Sequence, residues 1–296
     1  AALTSDAPAS PWPPLRVPLG LSAMFQVRDL SADDLFNFMA EPTLPVVFQV
    51  GERSYKIRGS TCLSAEEVDN PDQWLDILLG LESSGLLEGC TPVVLCAEEP
   101  EVRSRALAAL SSDALSEAVL SLTAVHVLQA GSLLDPLLLG DGPPPKLPAR
   151  VVHAPGLFLG DREAAGDRAV LDALGIRSVV NATDDLPNYF EPELLYLRIP
   201  LADVPDEDLA VHLDEAVAFI CDALARGEAV LVHCRMGVSR SASIVLAYLM
   251  KVHSLDFEEA LQRLRESRWS VRPNEGFCEQ LRKFQTHRSE PDGEKK

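Results

Sequence analysis

Consecutive prolines divide this chain near its middle. Residues 140–148 read GDGPPPKLP. Proline lacks a backbone N–H and fixes φ, so such a run cannot continue a helix or a central strand, and it acts as a semi-rigid spacer. We therefore predict a stiff Pro/Gly linker at residues 139–149. The 296 residues are enough for one domain on each side of it, each with its own hydrophobic core.

Short apolar runs alternate with helical apolar patterns on both sides of this linker. Before it, strands are predicted at Pro45–Val50, Thr91–Cys96 and Ala124–Gln129, and helices at Asn70–Leu87 and Arg103–Leu110. After it, strands are predicted at Leu157–Leu159, Ser178–Asn181, Leu195–Ile199 and Ala229–His233, and helices at Glu207–Ala225, Ser239–Lys251, Asp256–Arg268 and Glu275–His287. Strands that alternate with helices are typical of α/β folds. We predict two α/β domains, at residues 23–138 and 150–288, with a flexible lead-in at residues 1–22 and a disordered tail at residues 289–296.

The chain is strongly acidic, with a net charge of −19 at pH 7. Nucleic acids and anionic membranes are therefore poor partners for its surface as a whole, and its apolar runs are too short to span a bilayer. The six cysteines are widely spaced and include no CxxC pair. This pattern favours a reducing compartment, so we expect a cytoplasmic protein, with the nucleus and the mitochondrion as alternatives.

A buried strand, a tight loop and a helix follow one another in the second half. The strand Ala229–His233 is almost wholly apolar, residues 234–239 read CRMGVS, and a helix begins near Ser239. The first N–H groups of a helix have no partners within it, and the helix dipole adds positive potential, so this arrangement favours an anion. Gly237 lets the backbone turn, and a cysteine at the mouth of such a loop is favoured as its thiolate.

Arg240 indicates which anion the loop binds. An arginine in the first turn of a helix faces the positive end of the dipole, which is unfavourable without an anion. With a phosphoryl group in the loop, the guanidinium becomes a bidentate clamp. Five residues separate Cys234 from Arg240, so the loop can wrap a tetrahedral oxyanion around the sulfur. We predict that Cys234 is a nucleophile and that the phosphate-binding residues are Arg235, Met236, Gly237, Val238, Ser239 and Arg240.

The loop and its flanks resemble the protein tyrosine phosphatase superfamily, and specifically the dual-specificity phosphatases. The resemblance rests on His233-Cys234, five residues and Arg240-Ser241, and extends through residues 155–160 (PGLFLG), 179–181 (VVN) and 272–274 (RPN). It implies a dual-specificity phosphatase fold with a central, mostly parallel sheet flanked by helices. It also implies that His233 orients the loop and that Ser241 hydrogen-bonds the sulfur. From the residues alone, His233 is equally compatible with a core residue and Ser241 with a helix cap.

Cleavage of a phosphate ester also requires a proton for the departing oxygen, which a carboxylic acid near the loop supplies. The resemblance places this acid on a loop upstream of the cysteine. Asp203, in residues 200–205 (PLADVP), follows a strand and precedes the long helix, and it is our predicted acid, with Asp206 as the alternative. Cys234 would attack phosphorus, Asp203 would protonate the leaving Tyr, Ser or Thr oxygen, and water would then hydrolyse the phosphocysteine. These steps require no metal or other cofactor, and no clustering of ligand residues indicates one.

The first half resembles a rhodanese-like domain in its order of elements. The whole chain then has the layout of the MAP-kinase phosphatases and of the serine/threonine/tyrosine-interacting-like proteins. The strand that ends at Cys96 runs into residues 97–101 (AEEPE), whose glutamates would repel a sulfur-bearing anion, so we predict a degenerate, inactive domain. The resemblance implies phosphoprotein substrates, with MAP kinases as candidates. A kinase-docking patch and a solvated face are the two interpretations of the basic residues Arg53, Lys56, Arg58, Arg103 and Arg105.

The function predicted from these residues is an active protein phosphatase. The alternative is a phosphoprotein-binding pseudophosphatase or scaffold, because the interacting-like proteins replace the histidine and cysteine of the signature. This chain keeps both, together with Arg240 and Asp203. A phosphoinositide phosphatase is disfavoured because the loop contains no lysine.

Overall fold

The computed structural model describes residues 26–41, 45–51, 56–83, 93–97, 99–110, 124–128 and 136–286. Within these ranges the chain forms two five-stranded sheets with helices packed against them, which is the predicted α/β architecture. The predicted lead-in, the predicted tail, Arg53 and Cys90 lie outside the described residues. In the same ranges, no helix has both the length and the apolar character needed to cross a membrane.

The first sheet is entirely parallel, and its strands lie in the order β1-β5-β4-β2-β3. The strands are β1 (Gln26–Leu30), β2 (Val46–Val50), β3 (Thr61–Leu63), β4 (Val93–Ala97) and β5 (Ala124–Leu128). Strands β2 and β4 are buried along their whole length, as parallel strands covered on both faces must be. Helices α2 (Pro71–Ser83) and α3 (Pro100–Leu110) cover one face, and α1 (Ala32–Met39) covers the other.

The second sheet is parallel except at one edge. Its order is β6-β7-β10-β8-β9, and only β6 runs antiparallel to its neighbour. The strands are β6 (Ala149–Arg150), β7 (Leu157–Gly160), β8 (Ile176–Asn181), β9 (Leu195–Arg198) and β10 (Ala229–His233). Strand β10 lies at the centre, so the loop that follows it emerges from the middle of the sheet's carboxyl edge, where α/β sheets bind ligands.

The helices of the second half pack around one buried helix. They are α4 (Arg162–Gly166), α5 (Arg168–Ala173), α6 (Ala210–Ala225), α7 (Arg240–His253), α8 (Phe257–Ser267) and α9 (Glu275–Thr286). Residues 240–250 of α7 are all buried, because α6, α8 and α9 contact it from different sides. The predicted capping box of Asp256 and Glu259 is present at the start of α8. Helix α6 begins at Ala210, later than predicted, since the backbone before it forms turns.

The two halves share a hydrophobic core. Leu35 and Phe36 of α1 belong to the same buried cluster as Leu147 and Ala149, which lie in the segment predicted to be a linker. Asn37 of α1 exchanges two hydrogen bonds with the backbone of Arg150: its Nδ2 donates to the carbonyl (3.1 Å), and its Oδ1 accepts from the amide (2.8 Å). Helix α1 is therefore anchored on β6, at the edge of the second sheet.

Candidate active site

The loop after β10 turns back sharply to enter α7. Gly237 makes this turn possible, because its φ of +68° lies in the left-handed region that side chains rarely adopt. A Cβ at this position would lie 2.7 Å from the carbonyl oxygen of Gly160 in β7. The loop therefore packs directly against the neighbouring strand, with no room for any other residue.

Two donors converge on the sulfur of Cys234. The amide of Gly237 donates to Sγ over 3.2 Å and the hydroxyl of Ser241 over 3.1 Å. Cys234 is 1% exposed and lies just before the N-terminus of α7. Hydrogen-bond donors and the positive end of a helix both stabilise a thiolate, so the site favours a nucleophilic sulfur.

The carbonyl groups of the loop are held by donors outside it. The carbonyl of Arg235 accepts from the amide of Arg162 (3.3 Å), that of Met236 from Nη2 of Arg268 (3.3 Å), and that of Val238 from the amide of Arg272 (3.0 Å). In a trans peptide the N–H points away from the C=O. Because the carbonyls are held pointing outward, the N–H groups of the following residues point towards the centre of the loop. Successive N–H groups that point to one centre form an anion-binding nest.

Arg240 is a nearly buried cation beside the loop. Its Nη1 donates to the carbonyl of Leu201 over 3.3 Å, and its Nε lies 3.6 Å from Oδ2 of Asp203. Its Nε has no hydrogen-bond partner among the described residues. A buried guanidinium with an unused donor is costly until an anion binds, so Arg240 is suited to clamp a phosphoryl group.

Asp203 is held beside the loop by two side chains. Its Oδ1 accepts from the hydroxyl of Ser239 (2.6 Å) and from Nδ2 of Asn274 (2.9 Å). The backbone N–H of Asn274 in turn donates to the hydroxyl oxygen of Ser239 over 3.1 Å. The structure thus brings Asp203, Ser239 and Arg240 together. Asp206 is exposed three residues further along the chain.

Asn274 and Arg268 are site residues that the sequence reasoning missed. The RPN motif at residues 272–274 was part of the family resemblance, but nothing in it indicated a contact with Asp203. Arg268 carried no signal, since an arginine at a predicted helix end is usually solvated. Both act on the loop from far along the chain, and only the fold brings them to it.

His233 ends β10 with its ring buried. Burial lowers the pKa of His233 to about 4, so the ring is neutral at pH 7. The backbone carbonyl of His233 accepts from the amide of Ala182 over 2.9 Å, which fixes the point where the loop leaves the sheet. The remaining loop side chains lie at the rim: Met236 is 55% exposed, and Arg235 is exposed and paired with Asp185.

The second half of the chain is similar to known proteins. Residues 157–287 match the family described as dual specificity phosphatase, catalytic domain. Human dual specificity protein phosphatase 14 is 42% identical over 125 residues, which are 42% of this chain and 63% of the relative. Dual specificity protein phosphatase Mpk3 of Drosophila melanogaster is 41% identical over 141 residues, which are 47% of this chain and 34% of the relative.

A solved structure is also similar to part of this chain. The crystal structure of human DUSP28 is 38% identical, spans 50% of this chain and 97% of its own, and superposes with a TM-score of 0.47. The chain thus spans only about a third to two thirds of the length of the curated relatives named above. Residues 157–287 of this chain are therefore similar to the catalytic domains of dual-specificity phosphatases.

Proposed function

We propose that this protein hydrolyses phosphotyrosine and phosphoserine or phosphothreonine in proteins through a phosphocysteine intermediate at Cys234. The observation that carries the proposal is the sulfur of Cys234, which accepts hydrogen bonds from Gly237 and Ser241 inside a loop whose carbonyls are tethered outward. The nearly buried Arg240 lies at one side of this loop and Asp203 beside it.

The reaction has two steps. In the first, the thiolate of Cys234 forms a bond to phosphorus as the bond to the ester oxygen breaks, and Asp203 gives its proton to that oxygen. The loop amides and Arg240 hold the equatorial oxygens. In the second, Asp203 takes a proton from water, the water oxygen attacks phosphorus, and the sulfur departs as a thiolate. The hydroxyl of Ser241, 3.1 Å from Sγ, stabilises that leaving thiolate.

Phosphoprotein substrates follow from this chemistry, and MAP kinases are one proposed class among them. Lys56 pairs with the carboxylate of Asp141 (2.8 Å), Arg58 donates to the carbonyl of the same residue (2.7 Å), and Arg105 pairs with Asp69. Three of the five scattered basic residues therefore already have acidic or carbonyl partners. This pairing favours the interpretation that these basic residues form a solvated face and not a kinase-docking patch.

For residues 23–138 we propose a degenerate rhodanese-like domain without sulfur-transfer activity. Its parallel sheet with helices on both faces supports the first part of this proposal. Cys96 lies buried within β4, and the exposed Glu99 follows the strand, so the thiol of Cys96 does not open onto an anion site. A reducing compartment such as the cytoplasm suits the five described cysteines, all of which are free thiols.

Turnover by the full chain tests the proposed function. Hydrolysis of an aryl phosphate and of phosphopeptides is measured under reducing conditions for the wild type and for Cys234→Ser. We expect turnover only in the wild type, and we expect Cys62→Ser, a matched change at an exposed cysteine in β3, to retain it. Asp203→Asn should lower kcat by about 10²-fold or more, because it removes the proton donor, while orthovanadate still binds.

The same measurements distinguish this function from the alternative of a phosphoprotein-binding scaffold. A phosphoprotein-binding scaffold would capture phosphopeptides without releasing inorganic phosphate. Wild-type turnover no higher than that of Cys234→Ser would overturn the enzymatic proposal.

A further inference from the structure

Arg268 is a fully buried cation that bridges the two halves of the protein. It is 0% exposed and follows the last residue of α8. Its Nη1 donates to the carbonyl of Ala40 over 2.6 Å, and its Nη2 donates to the carbonyl of Met236 over 3.3 Å. Burying an arginine is costly unless its charge is compensated and its donors are satisfied. Here one partner lies in the first half and the other in the phosphate-binding loop.

The peptide group between Met236 and Gly237 connects Arg268 to the nucleophile. On one side its carbonyl accepts from Arg268, and on the other its N–H donates to Sγ of Cys234 over 3.2 Å. Because a peptide group is planar, a shift of the carbonyl turns the N–H as well. The position of the guanidinium therefore sets the direction of a donor that touches the sulfur.

Helix α1 holds the other end of the bridge. Ala40 is its C-cap, and its last turn contains no basic residue. The C-terminus of a helix carries a partial negative charge and unpaired carbonyls. Arg268 donates to one of these carbonyls and supplies the cation that the helix itself lacks. Helix α1 is a firm support, since the Ser31–Asp34 capping box fixes its start and Asn37 binds β6.

Glu41 strengthens the same contact. It is 3% exposed, and its Oε1 accepts from the amide of Trp269 over 2.7 Å. Burial raises the pKa of Glu41, and the guanidinium of Arg268 opposes that rise. The carboxyl group of Glu41 thus lies close enough to Arg268 to interact with its charge, and Trp269, the residue after it, is anchored at the same place.

We propose that Arg268 is a positioning residue for the phosphate-binding loop and that the carbonyl of Ala40 in the first half holds its guanidinium, with the carboxyl group of Glu41 nearby. The first half then contributes to the geometry of the phosphate-binding loop. This inference rests on the proposed function for its kinetic consequences, but the binding of a phosphate analogue tests it independently.

The test compares arginine-to-lysine changes at two bridges between the halves of the full chain. Arg268→Lys keeps the charge but cannot reach both carbonyls. Arg150→Lys is the matched control, because Arg150 pairs with Asp33 of α1 (2.9 Å) away from the loop. KM and kcat for an aryl phosphate, the affinity for orthovanadate by calorimetry and the thermal unfolding midpoint are measured for each variant. Glu41→Gln is the second variant, since glutamine still accepts from the amide of Trp269 but carries no charge.

For Arg268→Lys we expect KM to rise and vanadate affinity to fall by about tenfold, the effect of losing one charge-assisted hydrogen bond. Glu41→Gln should raise KM and lower vanadate affinity by about threefold or more. Arg150→Lys should change KM and vanadate affinity by no more than about twofold. If the bridge only stabilises the fold, the unfolding midpoint falls while KM and vanadate affinity stay at the Arg150→Lys values, and the proposal is wrong. Should Arg268→Lys not fold, unchanged vanadate affinity in Glu41→Gln overturns it alone. A wild type that binds vanadate without turnover refutes the proposed function but leaves this comparison valid.

Discussion

The substitution Gly276→Ala should displace Asp203, the proposed acid, and leave Cys234, the proposed nucleophile, in place. Gly276 is the second residue of α9, and a Cβ there would lie 1.9 Å from the carbonyl oxygen of Pro205 and 2.6 Å from its carbonyl carbon. Ordinary contacts begin at 3.4 Å, so in Gly276→Ala the helix and this carbonyl must separate by the difference, about 1.5 Å. Pro205 lies two residues after Asp203, which moves with it. Since displacements of about 1 Å at a catalytic group cost up to about 10²-fold, we expect kcat to fall by about that factor.

Steady-state kinetics and vanadate binding check this prediction. The loop of Cys234 is held by other contacts, so the vanadate affinity of Gly276→Ala should stay within about threefold of wild type. Gly80→Ala is the matched control: Gly80 lies within α2 with nothing within 4 Å of an added Cβ, and alanine favours a helix by about 1 kcal/mol. A folded Gly276→Ala protein with kcat within twofold of the control would refute the reasoning that α9 positions the acid.

Three further predictions follow from individual contacts. Gly237→Ala should lower kcat/KM by about 10²-fold or more, because its φ of +68° and the Gly160 carbonyl at 2.7 Å exclude a side chain; intact vanadate binding in a folded variant would contradict this. Asn274→Ser retains a cap for α9 but loses the hydrogen bond to Asp203 (2.9 Å), so kcat should fall about tenfold with little change in KM; an unchanged kcat would show that Ser239 alone suffices. Burial lowers the pKa of His126 to about 4 in the folded protein, so the unfolded chain binds the proton first and the free energy of unfolding falls as the pH drops from 6.5 towards 4. In denaturant titrations, the free energy of unfolding of His126→Leu should fall less steeply over this pH range than that of the wild type. Parallel plots of unfolding free energy against pH for the two proteins would refute this.

The phosphate-binding loop could be predicted because its chemistry is local. Cys234, Gly237, Arg240 and Ser241 lie within eight residues, and the strand and helix on either side are marked by buried apolar runs. A strand–loop–helix unit fixes the geometry of its own backbone, so spacing along the chain translates directly into position in space. The sequence also predicts Asp203 as the acid, through the family resemblance and the order of strand, loop and helix.

Elements were missed in both halves. In the second half these were strand β6 and helices α4 and α5, and in the first half they were strands β1 and β3 and helix α1. The helix has only eight residues, and its stability depends on tertiary packing of Leu35 and Phe36 rather than on a long periodic pattern. The prolines of residues 140–148 predict a linker, but they do not reveal that Leu147 and Ala149 are buried between the halves.

The sequence by itself determined the α/β architecture and predicts Cys234 as the nucleophile and Arg240 as the clamp, since these depend on neighbours in the chain and on apolar periodicity. Only the tertiary structure decided what holds them in place: Asn274 on Asp203, Gly276 against Pro205, and Arg268 between Ala40 and Met236. Each of these contacts joins residues far apart in the sequence, and each requires an approach of a few ångströms. No local pattern encodes such an approach, because it arises from how the two sheets and their helices pack together.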